Sequence, residues 1–216
     1  DWENHANIVN CSFENCLPER YETGYIYAPY KSAICSQGNY TRISDCSFLI
    51  SANVQLNGSS CRVVNCSFVK SEAYDHGGAI CSGGVNCSVI GCSFENCRFL
   101  GDYDYSCKVD YGGAVYSSGD NFKFLNCSLM GCHASYGGAL YSTGKNSSAA
   151  DCIFVNCYTY GTRDSEGHFN DGGSGGAIYS SGINCHILNS NFTKCFNDYC
   201  GYGGAVYSQG NHASNR

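Results

Sequence analysis

Cysteine is the residue type with the widest chemical scope in this chain, which has 18 cysteines among 216 residues. This content is typical of proteins that fold in an oxidising compartment, because a cytosolic chain would struggle to keep so many thiols harmless. The sequence contains no Cys-x2-Cys pair, and its six histidines are scattered. The spacing therefore does not predict a metal centre, and disulfide chemistry is the first possibility to weigh.

Asparagine is the second residue type that can carry chemistry. Eight of the 21 asparagines stand in Asn-x-Ser/Thr triplets, the acceptor signal for N-glycosylation. They are Asn10, Asn39, Asn57, Asn65, Asn86, Asn126, Asn146 and Asn191. Glycans here would imply a eukaryotic secretory route and an extracellular or cell-surface location. The alternative interpretation is an asparagine ladder whose amides satisfy the backbone at turns.

Acid–base chemistry has little support in the sequence. Cleavage of a glycosidic bond needs two carboxyl groups held close together, or a carboxyl group beside a base, and the only suggestive pair is Asp75 with His76. Other acidic residues gather in segments of variable length, at Asp102, Asp104, Asp110, Asp164, Glu166 and Asp171. These carboxylates could bind Ca²⁺, although solvated loop charge is the simpler explanation. We predict no enzymatic activity and no cofactor.

Two phrases alternate along the chain and must position these side chains. The first phrase has six positions: Gly, Gly, Ala, an aliphatic residue, either Cys or Tyr, and Ser. It starts at residues 77, 112, 137, 175 and 203, with a variant at residues 31–36. The second, Asn-Cys-Ser-Phe, stands at residues 10–13 and 65–68, with relatives that start at residues 45, 91, 126, 151 and 189. Such alternation is the signature of a solenoid.

The spacing between the two phrases is constant. The offset from the alanine of the first phrase to the cysteine position of the second is the same in every copy, as from Ala79 to Cys92 and from Ala114 to Cys127. The same offset before Cys66 marks residues 53–58 as a degenerate seventh copy, and we interpret the spacer as a bend. Only the segment between the second phrase and the next first phrase varies in length. We therefore expect every insert to leave the same edge of the solenoid.

The composition of the repeats favours strands over helices. The shortest full coil runs from Ala114 to Ala139; this length is too small for two helices with their turns, and the repeats are rich in Gly, Tyr, Phe, Val and Ile. We predict an all-β fold, a right-handed parallel β-helix of about seven coils. It should form a single domain over residues 1–216, with all inserts on one edge.

Column purity predicts which side chains face the core. The fourth position of the first phrase is always aliphatic, and the fourth position of the second phrase is Phe or Leu, so both columns should be buried. Because side chains alternate along a strand, the position after the aliphatic residue should point to solvent. It forms a stripe of Tyr116, Tyr141, Tyr179 and Tyr207. Such a stripe could stack against sugar rings.

The same alternation places most cysteines in two inward columns. One contains Cys11, Cys46, Cys66, Cys92, Cys127 and Cys152, and the other contains Cys97, Cys132, Cys157 and Cys195. Directly stacked residues have Cα atoms about 4.8 Å apart, which is within the range that a disulfide spans. We predict bridges between neighbouring coils, with Cys61 and Cys87 as further candidates. A buried ladder of free thiols is the alternative.

The Gly-Gly-Ala-Ile-Tyr and Asn-Cys-Ser-Phe phrases resemble the repeats of chlamydial polymorphic outer membrane proteins and related surface proteins. The resemblance covers nearly the whole chain, and it implies a right-handed parallel β-helix at a cell surface. It does not imply a particular activity, because such repeats occur in proteins of different roles. The high cysteine content departs from the pattern of that family.

Charge and hydropathy limit the kinds of partner that the chain could bind. The net charge is −6 and the isoelectric point is about 5.4, which argues against nucleic acid. The sequence contains no continuous apolar segment long enough for a membrane helix, so we predict no membrane span.

The two ends of the chain carry matching residues. Residues 4–6 recur as residues 211–213, and this overlay places Cys11 at the usual offset after Ala205. The resulting period, about 207 residues, would belong either to a tandem array or to separate copies that stack head to tail. We predict a structural extracellular glycoprotein, a β-helical segment of a fibre whose partner is another copy of itself. A carbohydrate-binding adhesin module and a polysaccharide-degrading enzyme are the alternatives.

Overall fold

The chain winds into a parallel β-helix. The computed structural model describes residues 5–17, 32–73, 76–99, 109–160, 162–163, 169–171, 173–198, 201–210 and 214–215. Within these ranges all regular structure is β, and short strands stack in register into four parallel sheets, which we name A to D. The stack has about seven coils. The predicted solenoid is confirmed.

Each coil passes through sheets C, A and B in turn, and five coils add a strand of sheet D. Sheet A contains Asn7–Val9, Arg42–Ser44, Arg62–Val64, Ser88–Ile90, Lys123–Leu125, Ser148–Ala150, His186–Leu188 and Ser214–Asn215. Sheet B contains Ser12–Glu14, Ser47–Leu49, Ser67–Val69, Ser93–Glu95, Ser128–Met130, Ile153–Val155 and Asn191–Thr193. Sheet C contains Ile34–Ser36, Val54–Leu56, Ile80–Ser82, Val115–Ser117, Leu140–Ser142, Ile178–Ser180 and Val206–Ser208. Sheet D contains Glu72–Ala73, Arg98–Phe99, His133–Ala134, Tyr158–Thr159 and Phe196–Asn197.

Three corners turn the chain, and a single residue with positive φ makes each turn. Corner 1 lies between sheets C and A, corner 2 between sheets A and B, and corner 3 after sheet B. The corner 1 residues are Tyr40, Ser60, Asn86, Asn121, Asn146 and Asn184. Those of corner 2 are Asn10, Asp45, Asn65, Gly91, Asn126, Asp151 and Asn189, and those of corner 3 are Asn15, Ile50, Lys70, Asn96, Gly131, Asn156 and Lys194. Asparagine recurs at these positions because it adopts the left-handed conformation more readily than most residues with a side chain.

Columns of one residue type fill the interior. On sheet B, Phe13, Phe48, Phe68 and Phe94 stack face to face, with successive ring centroids 4.5–5.1 Å apart. On sheet C the aliphatic column is buried, and Ile80 is fully so. Both columns that the sequence predicts to face the core do so. Stacking in register lets each ring cover the next at close to one coil spacing.

A column of glycines, which the sequence analysis missed, lies just before corner 1. Its members are Gly38, Gly58, Gly84, Gly119, Gly144, Gly182 and Gly210. A Cβ on Gly119 would collide with the carbonyl oxygen of Gly84 in the coil below. No side chain fits between the stacked coils at this position. The signal was present in the sequence, since a glycine stands two positions after every sheet C strand.

Sheet A corrects the interpretation of the spacer. The constant spacer between the two phrases is not a simple bend, because it contains a strand between corners 1 and 2. The inward column of this strand mixes Val89, Phe124, Ala149 and Ile187. Such variation hides the strand from an analysis based on column purity.

The shortest coil also differs from the expectation. Ile34 pairs with Val54 in the next coil, which is a smaller step along the chain than the step from Ala114 to Ala139, so the latter coil is not the shortest. The chain passes from corner 3 directly into sheet C at this point and makes no sheet D strand.

The long inserts join the same two sheets. The sheet D strands Arg98–Phe99 and Tyr158–Thr159 precede them, and in both cases the chain returns to sheet C. The longest insert contains an antiparallel pair, Thr162–Arg163 with Phe169–Asp171. Departure from one edge of the solenoid is confirmed.

Candidate functional site

Most cysteines directly follow a corner residue. After corner 2 come Cys11, Cys46, Cys66, Cys92, Cys127, Cys152 and Ser190; after corner 3, Cys16, Cys97, Cys132, Cys157 and Cys195; after corner 1, Cys61, Cys87 and Cys185. The cysteines of the middle coils are buried, whereas Cys11 and Cys16 in the first coil are exposed. Each corner therefore carries its own thiol column inside the rod.

The corner thiols donate hydrogen bonds to backbone carbonyls. The Sγ of Cys127 lies 3.2 Å from the carbonyl oxygen of Leu125 in its own coil and 3.8 Å from that of Val89 in the coil below. Cys152 makes the same pair of bonds one coil later. The thiols thus provide donors for polar groups that the turn leaves in the interior.

A serine at the end of the corner 2 column shows what this position requires. The Oγ of Ser190 donates to the carbonyl oxygen of Leu188 at 2.9 Å and accepts the backbone N–H of Cys152 at 3.2 Å. The Sγ of Cys92 accepts the N–H of Cys66 in the same way, at 3.4 Å. A hydroxyl at this position therefore keeps the bond to the carbonyl two residues earlier and the bond from the N–H of the coil below.

The 16 cysteines within the described ranges are free thiols in the structure. Burial raises the pKa of the Cys132 thiol. The pKa of Cys66 is also raised, mainly by its hydrogen bond with Cys92 and secondly by burial. A protonated thiol is a poor nucleophile, which protects Cys132 from reaction, whereas hydrogen bonds to Cys127 and Cys66 lower the pKa of Cys92 in the corner 2 column. Disulfides between neighbouring coils stay a prediction, and Cys107 and Cys200 lie outside the described ranges.

All eight sequon asparagines are exposed on the surface. Five are themselves corner residues: Asn10, Asn65 and Asn126 at corner 2, and Asn86 and Asn146 at corner 1. The corner 1 amides also bond to one another. Nδ2 of Asn121 donates to Oδ1 of Asn86 at 2.9 Å, and Nδ2 of Asn146 donates to Oδ1 of Asn121 at 3.3 Å. Sequon and amide ladder therefore involve the same side chains.

The tyrosine stripe is a ladder of stacked rings. The centroids of Tyr116 and Tyr141 lie 5.6 Å apart at 6°, and those of Tyr141 and Tyr179 lie 4.7 Å apart at 13°. Tyr207 continues the ladder at 5.1 Å from Tyr179. Because each ring covers the face of the next, the ladder presents mainly ring edges and hydroxyl groups. Burial raises the pKa of Tyr141 and of Tyr179, so both stay neutral phenols at neutral pH.

His76 belongs to a second aromatic column beside this ladder. Its ring stacks on Tyr116 at 4.7 Å and meets Tyr111 edge-on at 5.3 Å. Tyr111 in turn stacks on Tyr136 at 5.8 Å. Asp75, the other member of the suggested acid–base pair, lies outside the described ranges. In the structure His76 is therefore part of an aromatic surface.

Sheet D carries an outward ladder of mixed chemistry. Arg98 forms an ion pair with Glu72, with Nη2 and Oε1 2.7 Å apart. One coil later His133 stacks on Tyr158, with centroids 4.8 Å apart at 11°, and Phe196 follows at 5.3 Å from Tyr158. Burial lowers the pKa of His133, and the Arg98 charge lowers it further.

A buried carboxylate ties two inserts together. Asp110 accepts a short hydrogen bond from the hydroxyl of Tyr160. Asp110 ends one long insert and Tyr160 begins the next, and the short turn around Ser135 lies between them. Burial and the nearby Asp110 charge raise the pKa of Tyr160. The contact is therefore a structural clasp across one coil.

The predicted calcium ligands fall largely outside the described ranges. These residues are Asp102, Asp104, Asp164 and Glu166, together with the side chain of Asp171. Within the part of the chain that the structure describes, no group of three or more His, Cys, Asp or Glu side chains could hold a metal ion.

Comparisons with known proteins gave no match, whether to a family model, to a curated protein or to a solved structure. Among the residues with described positions, no helix is long and apolar enough to cross a bilayer. The function must be argued from the geometry of the rod.

Proposed function

We propose that the chain is a structural segment of an extracellular glycoprotein fibre, in which copies continue one another head to tail as a single β-helix. The core at the two end coils carries this proposal. Ile8 and Phe13 at one end, and Phe192 and Val206 at the other, pack against the core but are only partly buried. Each end therefore presents an apolar stack with one open face, which a further coil would cover.

Unpaired strand edges accompany the open stacks. Among the residues with described positions, Ser12–Glu14 and Ile34–Ser36 at one end pair on one side only, and so do Asn191–Thr193 and Val206–Ser208 at the other end. The unpaired N–H and C=O groups of such edges are templates for further strands. In-register stacking within the rod is the geometry that a second copy would continue.

The last strand of sheet A supports the period that the matching ends suggest. Ser214–Asn215 continues sheet A at the position that Asn7–Val9 occupies at the opposite end. A second copy placed by this overlay, with its Asn7–Val9 strand taking the place of Ser214–Asn215 in sheet A, sets Phe13 on Phe192 and extends the ring stack. Head-to-tail contacts of this type do not close into a ring, so they produce filaments.

The extracellular assignment is supported by the exposed sequons, which a secreted protein could use without disturbing the core. The adhesin alternative has less support. Sugars stack on the faces of aromatic rings, and from Tyr116 to Tyr179 neighbouring rings cover those faces. Edges and hydroxyl groups remain for hydrogen bonding, so a structural role is the function that the surface supports best.

Phe13→Lys tests the proposed joint. Phe13 is half-buried and stacks on Phe48 through one ring face, so a lysine here places charge at the joint without opening the interior. Glu14→Lys is the matched control, because Glu14 is exposed on the same strand. We expect the unmodified chain and Glu14→Lys to form filaments with a repeat of about 34 Å, or about seven coil spacings. We expect Phe13→Lys to stay monomeric.

Light scattering and negative-stain microscopy provide the measurements. An unmodified chain that stays a monodisperse monomer at every concentration would contradict the proposal. So would filaments of equal length from Phe13→Lys.

A further inference from the structure

The sequons lie at two of the three corners. Four are in the turn of corner 1, namely Asn39, Asn57, Asn86 and Asn146, and four are at corner 2 or just after it, namely Asn10, Asn65, Asn126 and Asn191. Corner 3 has asparagines of the same conformation at Asn15, Asn96 and Asn156. Their second following residues are Leu17, Arg98 and Tyr158, so none is a sequon. Corners 1 and 2 flank sheet A, whereas corner 3 adjoins sheet D and the inserts.

On the line of corner 2 the sequons skip a coil. One coil separates Asn10 from Asn65, and another separates Asn65 from Asn126; these coils carry Asp45 and Gly91. Both keep a serine at the second following position but lack the asparagine. Stacked glycan sites on this line are therefore about 9.6 Å apart, or two coil spacings. A pyranose ring with its substituents is wider than one coil spacing, so two corner 2 residues stacked in adjacent coils do not both have room for a glycan.

Corner 1 carries sequons in three successive coils, at Asn39, Asn57 and Asn86, and then skips one coil before Asn146 through a different change of sequence. Asn121 lies between the sequons Asn86 and Asn146 in the amide ladder. It keeps the asparagine but is followed by Phe122 and Lys123, so the hydroxyl is missing. Loss of the asparagine at corner 2 and loss of the hydroxyl at corner 1 thus have the same effect, which is a coil without a sequon between two coils that have one.

The amide ladder is compatible with glycans at the alternate positions. Asn86 contributes its Oδ1 to the ladder, and glycosylation at Nδ2 leaves that oxygen in place. Asn146 contributes an Nδ2 hydrogen to Oδ1 of Asn121. A glycosylated amide is a secondary amide, and in the trans form its remaining hydrogen points away from its own oxygen, as a ladder requires. Asn121 therefore lies as a spacer between two modified amides.

From these observations we propose that N-glycans form two lines along the rod, at corners 1 and 2, and that along the corner 2 line occupied coils alternate with free ones. Corner 3 and sheet D stay bare. Asn39, Asn57 and Asn191 lie close in sequence to the corner residue of their coils, in the same two turns. The inference rests on the proposed glycoprotein and specifies where its glycans sit.

Asp45→Asn tests the requirement for free coils. Together with Ser47, the new asparagine forms a sequon between Asn10 and Asn65. The side chains are already close, because Nδ2 of Asn65 lies 3.3 Å from the Asp45 carboxylate. Asp45→Asn combined with Ser47→Ala introduces the same amide without a sequon and is the matched control. After expression through a eukaryotic secretory pathway, glycopeptide mass spectrometry should find no chain occupied at positions 10, 45 and 65 together. Secretion should fall relative to the control.

Two further variants guard against an effect peculiar to position 45. Gly91→Asn places a sequon between Asn65 and Asn126, at a φ of 64° that asparagine tolerates, and should yield no chain occupied at positions 65, 91 and 126 together. Because its Cβ would lie 2.7 Å from Oδ1 of Asn65, Gly91→Asn combined with Ser93→Ala is the control and should keep Asn65 occupied. Tyr158→Thr creates a sequon at Asn156 on corner 3, where no neighbour is glycosylated, and should gain one glycan.

Secreted Asp45→Asn chains that carry all three neighbouring glycans at an unchanged melting temperature would overturn the inference. An unmodified chain whose mass does not change on treatment with N-glycosidase would overturn it too. Neither result alters the assembly test on Phe13, so failure of the glycan lines and failure of the fibre are distinguishable.

Discussion

At the scale of single residues, the corners explain why this chain is rich in cysteine. A left-handed corner residue turns the chain and leaves carbonyl groups inside, and the next side chain is short and able to donate a hydrogen bond at every described corner except that of Phe122. Cys127 and Ser190 both meet that demand by donating to the carbonyl two residues earlier in the chain. The cysteine column is therefore a hydrogen-bonding element, whatever its oxidation state.

Substitution of Cys127 separates the hydrogen-bonding role from a bridge. Cys127→Ser should lower the free energy of unfolding by at most about 1 kcal/mol, because the hydroxyl can keep the shorter bond, to Leu125, as Ser190 keeps its bond to Leu188. Cys127→Val should lower it by about 2–3 kcal/mol, because the carbonyls of Leu125 and Val89 lose their donor. Urea unfolding provides the measurement. A disulfide would instead be indicated if both variants lowered the free energy of unfolding equally, by about 2–4 kcal/mol, and if each released a partner thiol that an alkylating reagent could modify.

His133 should make the rod sensitive to mild acid. Burial lowers its pKa in the folded chain, so the unfolded chain takes up the proton first as the pH falls below about 6.5. Stability from this group is therefore present above that pH and is lost as the pH falls towards the folded pKa. His133→Phe keeps a ring on Tyr158, and we expect its melting temperature to fall less than that of the unmodified chain between pH 7 and pH 5. Parallel pH profiles for the two chains would contradict this.

At the scale of elements, the glycine column sets how closely the coils approach. Gly84→Ala would drive its Cβ into the carbonyl of Gly58, and we expect it to lower the free energy of unfolding by about 3 kcal/mol or more. Gly83→Ala is the matched control, because its Cβ would meet Asn57 and Ser118 atoms at 3.8 and 3.9 Å. That change should stay within about 0.5 kcal/mol. Thermal unfolding of both variants tests the difference, and equal losses would argue against close coil contact at the column.

Sheets B and C could be predicted from the sequence because their inward columns are pure. The Phe stack and the aliphatic stack repeat one residue type per coil, and stacking in register rewards such repetition. Sheet A could not be found this way, because its inward position changes residue type from coil to coil, as from Phe124 to Ala149. Sheet D has very short strands, such as Glu72–Ala73 and Arg98–Phe99, which leave too short a pattern to recognise.

The sequence identifies the residues of the candidate sites, but it does not give their spacing along the rod or the orientation of their side chains. The sequons and the tyrosine stripe can be read directly from the chain. Their spacing in coils depends on recognising every coil, including the one that carries Asp45 between Asn10 and Asn65. Ring orientation likewise depends on stacking: the same tyrosines would offer open faces if Tyr116 and Tyr141 were not directly above each other.

At the scale of the whole molecule, the strands of the four parallel sheets are stacked along the rod axis, and their interstrand hydrogen bonds lie along that axis. Aligned samples of the protein should therefore give a strong meridional reflection at about 4.8 Å, the spacing of parallel strands. X-ray diffraction from oriented samples provides the measurement. An equatorial reflection at this spacing, or none, would contradict stacking along the long axis.

Because the inserts are confined to one edge, the length of the rod depends only on its number of coils. Its length is counted in coils, each adding about 4.8 Å, and does not follow the number of residues. The coil that joins Ile34 to Val54 uses far less chain than the coil that joins Leu140 to Ile178, yet both advance the axis by one strand spacing. Insertions between sheets D and C can therefore change the girth and surface of the protein on one side while its reach stays constant.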